Sequence, residues 1–138
     1  MTMDDEAMKA LLTSVRRIAL VGASDKPDRP AFGVMQFLLG AGFDVTPVNP
    51  ALAGRDLLGC KVVASLADAA PLEMVDLFRR SDAVEEPVRE AVARGAKIIW
   101  MQLGVINEPA AAFARAAGLT VIMDRCPVIE MHRLGLAR

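Results

Sequence analysis

The sequence predicts an α/β domain built on one doubly wound parallel sheet of about five strands, and three observations carry that expectation. Five short apolar runs, at residues 17–21, 44–48, 74–78, 97–101 and 120–123, are rich in β-branched or large aliphatic side chains and lack strict alternation, as strands do when both faces of a parallel sheet are covered. Helical patterns separate most of these runs, so strand and helix alternate along the chain. A glycine with small polar residues closes the first run, where such sheets hold their ligands. With the five strands numbered in chain order, the expected order across the sheet is 3-2-1-4-5.

Each element has its own signal. Asp4, Asp5 and Glu6 suit a helix N-terminus, and Ala7, Met8, Leu11, Leu12 and Val15 then share one helical face. Residues 1–15 are therefore expected as an N-terminal helix packed on a single domain that spans residues 1–138. After the first strand, Pro30 to Gly40 carries Val34, Met35, Phe37 and Leu38, with Ala41 and the stop signal Gly42 beyond. The link from the second strand to the third is different: residues 52–66 are broken by Gly54 and Gly59, with a short extended piece expected at 61–64. A second helix precedes Gly95, with Val84, Val88, Ala91 and Val92 on one face and its regular part starting near Pro87. A third runs from the cap Asn107 and Pro109 to Gly118.

The 138 residues suffice for a real core. Sixteen basic and 17 acidic side chains leave a net charge of −1, which gives no global attraction to nucleic acid or anionic lipid; any electrostatic capture must be local. No apolar run reaches the roughly 18 residues that span a bilayer. The acidic start argues against a signal or transit peptide. Cys60 and Cys126 make neither a disulfide framework nor a C-x-x-C site. The expected home is a reducing cytoplasm.

In Gly22-Ala23-Ser24-Asp25 the spacing is neither G-x-G-x-x-G nor G-K-[ST]. Gly22 and Ala23 nevertheless let a ligand approach the backbone, and Ser24 offers a hydroxyl to a phosphate oxygen. The helix after Pro30 aims free N–H groups at the same point. Its dipole contributes only about 0.3–1 kcal/mol at an exposed site, so Lys26 and Arg29 are needed to help. The alternative is a tight strand-to-helix turn that binds nothing. The second strand ends Pro47-Val48-Asn49-Pro50 without the carboxylate that an NAD site places there; Asn49 is either a ribose or base contact or part of an ordinary turn. At the end of the third strand, Phe78 is a stacking surface for a purine or part of the core, and Arg79 and Arg80 form an anion site. Arg79 is assigned to the ligand, and Arg80 to solvent or to Asp82. Together these features suggest a polyanion with more phosphate than a simple dinucleotide carries.

Taken in order, Val21-Gly22-Ala23-Ser24 with Lys26-Pro27, Pro47-Val48-Asn49-Pro50, Ser65-Leu66, Asp76-Leu77-Phe78-Arg79-Arg80, Ile99-Trp100-Met101-Gln102-Leu103-Gly104 and Asp124-Arg125-Cys126 resemble the small bacterial CoA-binding proteins. These are similar to the CoA-binding domain in the α subunit of succinyl-CoA ligase. The resemblance runs from about Arg16 to Leu134. It implies a Rossmann-like domain with the phosphates of coenzyme A over Gly22, Ala23, Ser24 and Lys26. The Asn49-Pro50 turn and the Phe78-Arg79 strand end would flank the adenosine. The chain ends at Arg138 without the second domain that carries the ligase phosphohistidine, so ligase activity is not expected to carry over.

Catalytic signals are sparse. His132 is the sole histidine, which excludes a histidine metal cluster, and no metal site is expected. Cys126, Glu130 and His132 lie close in sequence, but a thiol nucleophile also needs an orienting group and an oxyanion site, and nothing marks them. The expected arrangement is a buried thiol and a surface histidine. Cys60 reads as a small apolar filler and the methionines as packing. Trp100 reads as core. Gln102, polar in an apolar run, requires hydrogen-bond partners, either in the loop before Asn107 or on the ligand.

The function expected from the sequence is recognition of coenzyme A or an acyl-CoA through its pyrophosphate and 3′-phosphate, without evident catalysis. The expected contacts are Gly22, Ala23, Ser24, Lys26, Asn49, Pro50, Phe78, Arg79 and Gln102. The alternatives are an NAD(H)-binding redox sensor, or a non-catalytic subunit of a CoA-thioester enzyme. A protein partner or a second copy of the chain fits this reading; nucleic acid and membrane do not.

Overall fold

A computed structural model describes residues 3–137; positions 1, 2 and 138 of the expected domain lie outside the described residues. The main sheet contains β1 (Arg17–Val21), β2 (Asp44–Val48), β5 (Met74–Leu77), β6 (Ile98–Met101) and β7 (Thr120–Ile122), all parallel. Between β2 and β5, β3 (Asp56–Leu57) and β4 (Cys60–Lys61) pair as a small antiparallel ribbon. The helices are α1 (Asp5–Ser14), α2 (Pro30–Gly40), α3 (Glu85–Ala93), α4 (Glu108–Ala116) and α5 (Pro127–Arg133).

Strand side chains alternate between two apolar layers. Ile18, Leu20, Met74 and Trp100 face a core shared with α1, α2 and α5, while Ala19, Val75, Leu77, Ile99 and Met101 face one shared with α3 and α4. This two-sided burial explains why the strands read as continuous apolar runs. Several local signals act as the sequence predicts. The Asp4 carboxylate caps α1 by accepting from Ala7 N–H at 2.8 Å, and Asn107 caps α4 through Ala110 N–H at 3.0 Å. Pro87 lies in the first turn of α3, where its missing N–H breaks no helical bond. The short helix α5 was not expected.

The fold class is as expected, but the strand order is not. The sheet runs β2-β1-β5-β6-β7, so in chain order the five strands stand 2-1-3-4-5 rather than 3-2-1-4-5. The physical reason lies in β2 and the link that follows it. Pro47 has no N–H, and its carbonyl faces away from β1 to accept from Val63 N–H at 3.0 Å. A proline in that position suits an edge strand and would break the ladder of an interior one. Val63 forms a single parallel bridge with Val48, so the irregular link itself covers the edge where a third strand was expected. With only short 3-10 turns and no α-helix in the link, the chain crosses to the far side of β1 before β5 begins.

Candidate functional site

In a sheet of this order the direction of winding reverses between β1 and β5, and ligands bind at such a switch point. The two strand ends meet there. Phe78 N–H donates to the Val21 carbonyl at 2.8 Å, and Gly22 follows with φ +88°. A Cβ on Gly22 would lie 2.2 Å from the Phe78 carbonyl oxygen, so only glycine allows this approach.

Two clefts open on either side of that contact. The first has a volume of about 610 Å³ and is bounded by the loop after β1, the start of α2 and the loops after β5, β6 and β7. The second, about 520 Å³, lies toward α3, and both are lined by Gly22, Asn49 and Arg79. Lys26, Arg29, Arg79 and Arg80 all line the first cleft. Asp25, the acidic residue among its lining, sits 3.6 Å from Arg55. Arg80 pairs with Asp82 at 3.4 Å, as assigned from the sequence. Lys26, Arg29 and Arg79 have no ion-pair partner among the described residues. A chain of net charge −1 thus concentrates free cations at the switch point.

The expected site residues are brought together, with differences in what they offer. Gly22 and Ala23 both donate their N–H groups to the Val48 carbonyl, at 3.0 and 3.3 Å, so those amides are engaged within the protein. Ser24 Oγ accepts from Lys26 N–H at 3.1 Å, which leaves its O–H free to donate. Asn49 Nδ2 donates to the Ala23 carbonyl at 2.8 Å and its Oδ1 accepts from Ala51 N–H at 2.9 Å, so this side chain laces the β1 and β2 loops. Pro50 begins a short 3-10 turn and lines the second cleft, while Phe78 lines the first, half-buried.

Beneath the first cleft lies a feature that the sequence reading did not single out. Asp76 is central in the sheet, opposite Leu20 and Trp100, and fully buried. Burial pushes its carboxyl well above the usual carboxylate range. Its partner is Gln102, whose carboxamide head lies 3.0 Å from both carboxyl oxygens and can present its NH2 to an ionised acid or its Oε1 to a protonated one. Gln102 is itself buried and lines the cleft. A lone acid inside the apolar run of β5 was the available signal.

The remaining loops are cross-tied. Trp100, fully buried as expected, donates its indole N–H to the Arg125 carbonyl at 2.8 Å. Glu130 Oε1 accepts from Arg125 and Arg133 at 2.8 and 2.9 Å. Asp124 accepts from Gly104 N–H at 2.7 Å, and Ser81 Oγ from Ile106 N–H at 2.9 Å. Cys126 is buried against the first cleft, whereas His132 is exposed and packs on Phe37 with centroids 5.3 Å apart and the rings tilted by 50°.

A parallel sheet with a glycine turn, a helix N-terminus and free cations at its switch point defines a Rossmann-like nucleotide-binding class. Within that class the chain belongs to the CoA binding domain family, whose model matches residues 16–132. The uncharacterised protein YneT of Bacillus subtilis is 38% identical over 120 residues, covering 86% of this chain and 87% of that protein. Among solved structures, Prb (PH1109 redesigned for binding) superposes with a TM-score of 0.93 at 39% identity, over 99% of this chain and 96% of that one. A hypothetical protein from Pyrococcus horikoshii OT3 gives 0.91 at 41% identity, over 96% and 92%. A Thermus thermophilus protein gives 0.91 at 35%, over 96% and 99%.

Proposed function

We propose that this protein binds coenzyme A or an acyl-CoA across the switch point and adds no catalytic step of its own. The observation that carries the reading is the set of three cations without ion-pair partners among the described residues, Lys26, Arg29 and Arg79, that line the first cleft with Gly22, Arg79 also lining the second. Coenzyme A joins a nucleotide and a long amide-bearing arm through a pyrophosphate, so it suits two clefts that meet at a cationic centre. Ser24 O–H and the start of α2 would hold phosphate oxygens; Lys26, Arg29 and Arg79 would supply the charge. Phe78 offers an apolar surface to the ligand. His132 packs on Phe37 and is not among the residues that line the cleft with Cys126, which supports recognition rather than thiol chemistry.

The test is a thermal-unfolding series with coenzyme A, dephospho-CoA, NAD and ATP. A ligand at about 100 times its Kd should stabilise by roughly 2.7 kcal/mol, a shift of several degrees for a chain of this size. A shift with coenzyme A that shrinks with dephospho-CoA is expected. A shift with NAD alone would overturn the reading in favour of a redox sensor, although β2 ends without the carboxylate such a site uses.

A further inference from the structure

A carboxyl group buried in the central strand of a sheet is costly unless something engages it. Asp76 has no cation and no backbone donor as a partner among the described residues, and its one contact is the carboxamide of a residue that lines the cleft. A purely structural polar residue would more simply be apolar at this position, since its register neighbours Leu20 and Trp100 belong to the apolar layer. The pair therefore connects a titratable group to the floor of the candidate site.

We infer that Asp76 is a positioning residue that sets, through the carboxamide of Gln102, whether the cleft floor offers an arriving ligand an acceptor or a donor. The two states follow from hydrogen-bond inventory. An ionised Asp76 only accepts, so it takes the amide NH2 at 3.0 Å and leaves the Gln102 Oε1 for a ligand N–H. A protonated Asp76 carries an O–H that needs an acceptor. The amide then turns over, Oε1 accepts that proton, and the NH2 is left for a ligand carbonyl. Burial favours the protonated state. The group read is a neutral amide or carbonyl rather than a phosphate, which matches the arm of coenzyme A and not its nucleotide. In this respect the inference rests on the coenzyme A reading of the cleft.

The other ionisable groups around this layer are already accounted for. From α1, Asp5 is held by Arg133, and from α5 and the loop before it Glu130 is held by Arg125 and Arg133. α2 carries no charged residue. Cys126, the loop residues Asp25, Lys26 and Arg29, and Arg79 and Arg80 after β5 line the cleft, Arg80 pairing with Asp82; His132 packs on Phe37, and burial is the cause of the shift at Asp76.

The experiment is calorimetric titration of the full chain with coenzyme A and with adenosine 3′,5′-bisphosphate, which lacks the arm, at mildly acid and mildly alkaline pH. For the wild type, the affinity for coenzyme A should change by roughly three- to tenfold with pH, falling as pH rises if the arm presents a carbonyl to the floor and rising if it presents an N–H, beyond any change with the bisphosphate. Asp76→Asn, nearly isosteric and able both to donate and to accept, should remove that extra dependence, and Gln102→Ala should do the same. An unchanged coenzyme A profile in Asp76→Asn, or the same pH dependence for both compounds, overturns the inference. A ligand-free arm separates its failure from that of the coenzyme A reading. The side-chain NH2 resonances of Gln102 should move with pH in the wild type and stay still in Asp76→Asn. Resonances that ignore pH in both overturn the pair whatever the ligand. Resonances that titrate, with no binding of either compound, support the pair and overturn the coenzyme A reading.

Discussion

Gly22 shows how much one residue decides here. Its φ of +88° and the 2.2 Å approach a Cβ would make to the Phe78 carbonyl leave no room for any side chain. Gly22→Ala should cost about 1–3 kcal/mol, read as a lowered urea midpoint, and should also spoil ligand binding by parting β1 from β5. Arg79 lies at the junction of both clefts without an ion-pair partner among the described residues. Arg79→Ala should weaken coenzyme A binding roughly tenfold or more, the scale of a charged hydrogen bond, with stability nearly unchanged. Equal affinity in the variant would remove Arg79 from the site.

Asp76 yields a stability prediction with a definite sign. Its folded-state pKa is raised by burial, so the unfolded chain ionises first. Stability is fully present below about pH 3.9, the unfolded value, and is lost progressively as pH rises toward the folded pKa. Asp76→Asn, which cannot ionise, should therefore be more thermostable than the wild type near neutrality. The gap in Tm should widen as pH is raised from acid, and a gap independent of pH would contradict the assignment.

At the scale of elements, local capping and long-range lacing coincide in Asn107. Its Oδ1 caps α4 and its Nδ2 donates to the Ser81 carbonyl at 2.9 Å, tying the loop after β5 to the one after β6. Asn107→Ala should cost about 1–2 kcal/mol, the upper part of the range for a lost cap, measured by chemical denaturation; Asn107→Asp should recover the cap but not the lacing bond. The cap was legible because Asn before a proline-bearing apolar pattern is a local signal. The helix α5 was not, because seven residues are too few for a periodic pattern. Its place is set by contacts with α1 and α2 rather than by its own sequence.

For the whole molecule, the sheet order determines where the site lies. In the expected order the switch point would fall between the first and fourth strands. In the observed order it falls between β1 and β5, so Arg79 and Phe78 stand beside Gly22. If coenzyme A is captured by the exposed cations as proposed, raising salt should weaken its binding, and a salt-independent affinity would point to a different part of the ligand carrying recognition. The edge position of Pro47 was a readable warning about the order, since proline is confined to sheet edges.

The sequence by itself determined the strands and most helices, because burial on both faces and capping chemistry are written in short stretches of chain. It also marked the residues that gather at the cleft, because glycine, serine and arginine at strand ends carry their chemistry locally. Only the tertiary structure decided which strands are neighbours, which amides of the glycine turn are already engaged, and that Asp76 meets Gln102. These depend on pairings between segments far apart in the chain, where hydrogen-bond partners are chosen by the sheet as a whole.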